Sequence, residues 1–356
     1  MAMSLATIKA IALVLLIVQA TSLVLCMRQS RLGEGPHYSP ASAVIVAEVL
    51  KLVICCGVVG WNALFSTPAP SSSSHSHSAS HSHSSALLRR FQSWLLGLFQ
   101  WRDMLHLSAV GGLYAVQNNL LYLALTHLPP AIYQVTYQLK VLTTAGFSVA
   151  LLRRRLSGVQ WASLVLLASG VAIVQLTLEG GLSSQSSHSF GSDENAGFFQ
   201  NLAGPLLGFI AVCVAACTSG FAGVLFEMVL KRSSTSLWER NIQLALFGLL
   251  FSVGYAALFP GASSGADFFS GYNPLVWTII ALQACGGLLI AMVVNYTDNI
   301  VKAFATSLSI ILSSVLSTFF GDVTLVPMFY VGALIVIFAT YLFSEYKPSA
   351  DLILPK

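Results

Sequence analysis

Apolar residues come in runs of roughly twenty along nearly the whole chain, each long enough to cross a bilayer as a helix. Ten runs lie near residues 5–27, 41–65, 104–127, 130–152, 157–178, 201–229, 237–259, 273–294, 300–320 and 325–345. The pattern predicts an all-α polytopic membrane protein of about ten transmembrane helices, with no soluble domain. The first run lacks a clear small-residue cleavage site, so it is expected to stay as a first helix rather than be removed as a signal. Two stretches break the pattern. "STPAPSSSSHSHSASHSHSS" (66–85) reads as a disordered His/Ser-rich linker, and "GGLSSQSSHSFGSDENAG" (180–197) as a polar loop near the middle. Neither buries enough apolar surface to offset its ordering entropy.

The middle loop divides the chain into a five-helix half at 1–179 and a second at 198–356. An odd number of spans per half forces the second to insert upside down. A faint echo joins the halves, "RRRLSGVQWASLVLLASGVAIV" (153–174) against "GDVTLVPMFYVGALIVIFATYL" (321–342). Inverted repeats of this kind are a transporter signature, with the substrate near the midplane between them.

Composition agrees with the bilayer. The chain has 356 residues, 56% hydrophobic and 8% charged, against about 25% charged in soluble domains. A net charge of +4 is modest and argues against nucleic acid as a partner. Six Cys lie in apolar runs, where a thiol behaves as a small hydrophobe. Arg89, Arg90, Arg102, Arg153, Arg154, Arg155, Lys231, Arg232, Lys347 and Lys356 fall on one side if the spans alternate. The opposite loops hold Arg28 and Arg31 but otherwise acidic residues. The excess of basic residues puts that side, and both termini, in the cytosol.

Candidate chemistry sits in the polar residues inside the spans. In "YAVQNNLLYLALTHLPPAIYQVTYQLKVLTTAGF" (114–147), Tyr133, Tyr137 and Lys140 stand at i, i+4 and i+7 and share a helix face, with Thr136 beside them. Gln117, Asn118 and Asn119 lie on the preceding helix. A cation at a helix centre costs about 2.5–3.5 kcal/mol, so Lys140 should face something other than lipid. A cavity between these helices would hold one cation, amides and rings. A nucleotide needs those groups, for its phosphate, its base edges and its base face. Interhelical glue accounts for the amides but not for a buried Lys.

Lys302, in "NYTDNIVKAFATSLSII" (295–311), is a second cation. Asp298, four residues earlier, offers it a structural partner; alternatively Lys140 and Lys302 clamp a diphosphate from opposite halves. Ser219, Gly220 and Gly223, in "CTSGFAGVLFEMVLK" (217–231), suit either close helix packing or a ligand pressed on the backbone. In "WERNIQLALFG" (238–248), Asn241 is the ligand candidate and Arg240 an anchor at the cytosolic surface. Glu48 and Lys51, at i and i+3, either neutralise each other or serve gating or substrate binding. His75, His77, His81 and His83 form the one metal-like run. No Cys or carboxylate cluster accompanies it, so it is read as a solvated linker, and neither a metal site nor a cofactor is expected. The chain has no Gly-rich phosphate loop and no nucleophile elbow, which argues against an enzyme.

"YAVQNNLLYLAL", "AIYQVTYQLKVLTT", "SGFAGVLFE", "RNIQL" and "DNIVKAFATSLSIILS" resemble the Golgi nucleotide-sugar transporters, in the branch that carries UDP-N-acetylglucosamine, UDP-galactose or CMP-sialic acid. The resemblance covers nearly the whole chain outside the two polar loops. It implies a drug/metabolite-transporter-like fold of two inverted five-helix halves in the Golgi membrane. It also implies exchange of a cytosolic nucleotide sugar for a lumenal nucleoside monophosphate, and association as a homodimer or with glycosyltransferases. Carried over, the nucleotide pocket would use Asn118, Asn119, Tyr137, Lys140, Ser219, Asn241 and Lys302. The chain departs from the family at Met228 and Asn295, where relatives usually have Lys. Ala245 stands where CMP-sialic acid carriers have Tyr, which favours a UDP-sugar over a CMP-sialic acid/CMP exchange. A zinc or other cation transporter with a His-rich cytosolic loop is the remoter alternative; it predicts acidic or His ligands in the spans, where Tyr, Asn and Lys stand instead. A scaffold for glycosyltransferases gives no reason to keep Lys140 in a bilayer.

Overall fold

Prolines and capping side chains set where the helices begin. Pro40, Pro130, Pro274 and Pro327 each open one, at the position where a missing N–H costs nothing. Before Pro274, the Asn273 side chain accepts from the Val276 N–H at 2.9 Å. The computed structural model describes residues 4–32, 38–65, 101–182, 198–232, 236–258, 268–319 and 325–346. Among them are α1 (Leu5–Leu32), α2 (Pro40–Phe65), α3 (Trp101–His127), α4 (Pro130–Tyr137), α5 (Leu139–Leu152), α6 (Gly158–Leu182), α7 (Phe198–Arg232), α8 (Leu237–Leu258), α9 (Pro274–Tyr296), α10 (Asn299–Phe319) and α11 (Pro327–Glu345), with no strand. Only Gln138 separates α4 from α5, and it keeps φ −63° and ψ −16°, so the two form one rod. The linker 66–85 and residues 183–197 lie outside the described residues; α6 continues to Leu182, into the loop expected from 180.

The described residues thus make ten rods, near the positions of the apolar runs. Eight are long and apolar enough to cross a membrane among the described residues. The other two, α3 and α8, are 27 and 22 residues long and carry polar residues at membrane depth, Gln117, Asn118 and Asn119 on α3 and Arg240, Asn241 and Gln243 on α8. The expected count of ten spans rests on those two. Where successive rods alternate, the ends of α2, α5, α7 and α9 gather at the end that carries Arg153–Arg155.

The packing exchanges the first five rods with the last five. α3 packs on α7 as α9 packs on α1, and α5 on α7 as α10 on α1. The pairs α2·α8 and α6·α11 map onto themselves. Gly170 of α6 and Gly332 of α11 mark the second of these. A Cβ on Gly170 would lie 3.0 Å from the Gly332 carbonyl, 3.0 Å from Ile335 and 2.9 Å from Val336. A Cβ on Gly332 would meet the Gly170 carbonyl, Ile173 and Val174 at 3.0, 3.0 and 2.9 Å. The matching register is thus "GVAIV" (170–174) on "GALIV" (332–336), six residues away from the echo read in the sequence. Around this contact Val141, Leu164, Leu167, Val171, Ile300 and Val336 bury a core joining α5, α6, α10 and α11.

Candidate functional site

One polar cluster forms where α3, the α4–α5 rod and α7 meet. The Tyr137 hydroxyl accepts from Gln117 Nε2 at 2.9 Å and donates to Ser219 Oγ at 3.5 Å. Its ring stacks on Tyr133, with centroids 6.0 Å apart and planes 10° off parallel. Lys140 Nζ lies 4.3 Å from the Tyr137 centroid, within the range of a cation–π contact. Thr136 is buried beside them. Lys302 lies on α10, and its charge is within electrostatic range of Lys140 and of Glu227.

Among the described residues neither Lys140 nor Lys302 forms an ion pair. Asp298, one of the two partners the sequence offered Lys302, is committed elsewhere. Its carboxylate meets Arg154 Nη1 at 2.7 Å and caps the Val301 N–H at 2.7 Å. Capping turns a carboxylate at a helix start toward the backbone N–H groups and away from the side chain one turn on. Two ammonium groups that form no ion pair among the described residues thus lie within electrostatic range of each other.

A second region is a cavity of about 460 Å³ between α2, α3 and α8. Glu48, Lys51, Tyr114, Asn118, Asn119 and Phe251 line it, with Pro40 and Ala41 among its boundaries. Those two prolong it toward the start of α2, the end opposite Arg153–Arg155. Glu48 and Lys51 pair as their spacing predicts, with Lys51 Nζ 2.8 Å from both carboxylate oxygens. Gly248 and Gly287 make room: a Cβ there would lie 2.9 Å from the Glu48 carboxylate and 2.8 Å from Lys51 Cε.

The two regions correct the single cavity expected from the sequence. Gln117, rather than Asn118 or Asn119, meets Tyr137. Successive helix residues point about 100° apart, so Gln117 turns to α4 and α7 while Asn118 and Asn119 turn to α2 and α8. Tyr114 and Phe251 were missed. Tyr114 stands four residues before Asn118, a spacing that marks the same face.

The remaining candidates divide. Asn241 is buried; its Nδ2 donates to the Leu237 carbonyl at 2.9 Å, while its Oδ1 has no partner among the described residues. Buried amide oxygens of this kind call for a ligand or water. Arg240 is 2% exposed and donates to Gln243 Oε1 at 2.9 Å, so it is not the surface anchor expected. The glycines serve packing. A Cβ on Gly220 would strike Thr143 and Thr144 of α5, and one on Gly223 would strike the Asn299 amide. Thr143 Oγ1 donates to the Ala216 carbonyl at 2.9 Å across that close approach. The His-rich run lies outside the described residues; among those described, no group of three or more His, Cys, Asp and Glu could hold a metal ion.

The nucleotide-sugar transporter family model matches residues 4–344. The chain belongs to the nucleotide-sugar transporter family. The transporter is 42% identical over 351 residues to the UDP-N-acetylglucosamine transporter of Mus musculus, covering 97% of this chain and 98% of that one. It is 42% identical to the UDP-galactose translocator of Bos taurus, over 97% of this chain and 80% of that one. A solved crystal structure superposes with a TM-score of 0.60 over 96% of the transporter and 98% of its own chain, at 13% identity, a likeness of fold alone.

Proposed function

We propose that the transporter is an antiporter that moves a UDP-sugar, UDP-N-acetylglucosamine or UDP-galactose, from cytosol to Golgi lumen in exchange for UMP, without itself catalysing a reaction. The observation that carries this reading is the pair of intramembrane cations, Lys140 and Lys302, which form no ion pair among the described residues and lie within electrostatic range of each other. A diphosphate or phosphate supplies the charge that such a pair requires. Tyr137, Gln117 and Ser219 fix the Lys140 side of the site. Asn118, Asn119 and Asn241 offer amides to base or sugar edges, and the Glu48–Lys51 pair borders the adjoining cavity. Uridine is preferred because the relatives at 42% identity are named for UDP-N-acetylglucosamine and UDP-galactose.

The exchange-symmetric packing supports two inverted halves at 1–179 and 198–356 with the site between them. The basic loops support a cytosolic side for both termini. A homodimer, or association with glycosyltransferases, completes the reading.

Purified transporter in proteoliposomes preloaded with UMP, offered a panel of nucleotide sugars, tests it. Entry of UDP-N-acetylglucosamine or UDP-galactose should be faster into UMP-loaded than into empty vesicles. Equal rates into both would point to a uniporter. A failure of unlabelled UMP to compete would remove the nucleotide itself, and preference for CMP-sialic acid would move the substrate to the sister branch.

A further inference from the structure

At the end carrying Arg153–Arg155, one carboxylate ties three rods together. Glu227, near the end of α7, has a side chain with 0% exposure. It accepts from Arg154 Nη2 at 2.6 Å, from Lys231 Nζ at 2.8 Å and from the Asn299 N–H at 2.9 Å. Arg154 follows α5, and its other guanidinium nitrogen meets Asp298, the residue before α10, at 2.7 Å. Lys231 also donates to the Thr297 carbonyl in the α9–α10 link. Arg153 turns the chain to aim Arg154 inward: it closes α5 in the left-handed region at φ 52°, a conformation that disfavours any residue with a Cβ.

These contacts bind the end of α5, the end of α7 and the start of α10, so substrate cannot pass between those rods at this end while they hold. The cavity, by contrast, extends toward the start of α2 at the other end. Lys302 sits one turn inside the same cluster. Its backbone N–H bonds the Asp298 carbonyl at 3.1 Å, and its ammonium feels the Glu227 carboxylate and the Lys140 ammonium.

We infer that Glu227 is a positioning residue that couples opening of this end to occupancy of the anion site, so that the empty carrier stays latched and only the loaded carrier reorients. The inference rests on the reading of Lys140 and Lys302 as a phosphate site. In the empty carrier Lys302 is attracted to Glu227 and helps to keep the carboxylate in place under Arg154 and Lys231. A phosphate between Lys302 and Lys140 takes up that attraction. It also adds negative charge close to Glu227 and Asp298, where like charges in a low-dielectric site repel strongly. The latch loosens when the ligand arrives, and exchange becomes obligatory without a separate gate.

The experiment compares wild type with Glu227→Gln in proteoliposomes, measuring UDP-N-acetylglucosamine entry into empty and UMP-loaded vesicles, with UMP affinity read separately by thermal shift in detergent. The amide can still accept from the Asn299 N–H but carries no charge for Arg154, Lys231 or Lys302. The expected result is that the loaded-to-empty ratio falls toward unity because the empty variant now reorients, while UMP binds more tightly because the competing carboxylate charge is gone. A purely structural role would lower the melting temperature and leave the ratio as in wild type. Lys231→Gln is the second variant, in case the first fails to fold. Lys231 is 30% exposed, and its loss leaves Glu227 held by Arg154 and the Asn299 N–H. It should lower the ratio part-way. A wild-type ratio in Lys231→Gln, or in both variants where both fold, overturns the latch while leaving the antiporter intact. If wild type itself shows neither a UMP-induced shift nor entry of the sugar nucleotide, the antiporter reading falls and the latch with it.

Discussion

Lys140 has no carboxylate partner, so its loss should appear in ligand binding rather than in folding. Hydrogen bonds to charged groups are worth about 1.5–3 kcal/mol, so Lys140→Ala should weaken UMP binding roughly ten- to a hundredfold. Its melting temperature without ligand should change little, because removing a cation from a membrane helix does not make insertion harder. Lys140→Arg should restore binding only in part, since a planar guanidinium is bulkier and differently directed than an ammonium. Thermal-shift titration with UMP checks all three; a low-melting Lys140→Ala that still gains the full UMP shift would mean that Lys140 is structural. Much of this side of the site was legible, because Tyr133, Tyr137 and Lys140 need only the helix period to share a face. For Asp298 the same spacing left two readings open. Local spacing offered it to Lys302, whereas the structure gives it to Arg154, more than a hundred positions earlier. Sequence spacing carries no information about which rods will meet at one end of a bundle.

At the scale of the element, the glycines of α7 are expected to matter for how closely helices approach. Gly220→Ala pushes a methyl into Thr143 and the Thr144 backbone, an overpacking that should cost about 1–3 kcal/mol. Gly60→Ala, on α2, meets nothing within 4 Å and should be neutral or slightly stabilising. Melting of the two variants in detergent makes the comparison, and equal melting would show that α5 can move aside. The rods themselves were readable because each apolar run is as long as a bilayer is thick. Rotation about each rod was not. A turn of about 100° between Gln117 and Asn118 sends neighbours into different cavities, and nothing in the run "QNN" says which faces α7. The repeat was visible but mis-registered. "GVAIV" and "GALIV" are both in the sequence, and only the facing pair Gly170 and Gly332 shows that they correspond.

For the molecule as a whole, the polar linker is expected to be dispensable. Residues 71–85 read as a solvated cytosolic segment, so deleting them should leave UMP-stimulated sugar-nucleotide entry as in wild type. Loss of entry in a correctly inserted deletion, together with a zinc effect on the intact protein, would restore a role for the histidines. The packing has a consequence for assembly. The broadest helix contacts, α3 on α7, α6 on α11, α2 on α8, α5 on α7 and α1 on α9, all join an early rod to a late one. Synthesis runs in one direction, so the first five rods reach the membrane while those later neighbours are still being made. Lys51 and Tyr137 then stand at membrane depth without the Gly287 and Ser219 surroundings that later enclose them, keeping only the Glu48 and Gln117 partners of their own half, where lipid satisfies no polar group. A nascent chain in that condition needs water, a chaperone or a second polypeptide at its flank. Folding ends when α7 to α11 take over that office, and each set of five helices becomes the other's solvent.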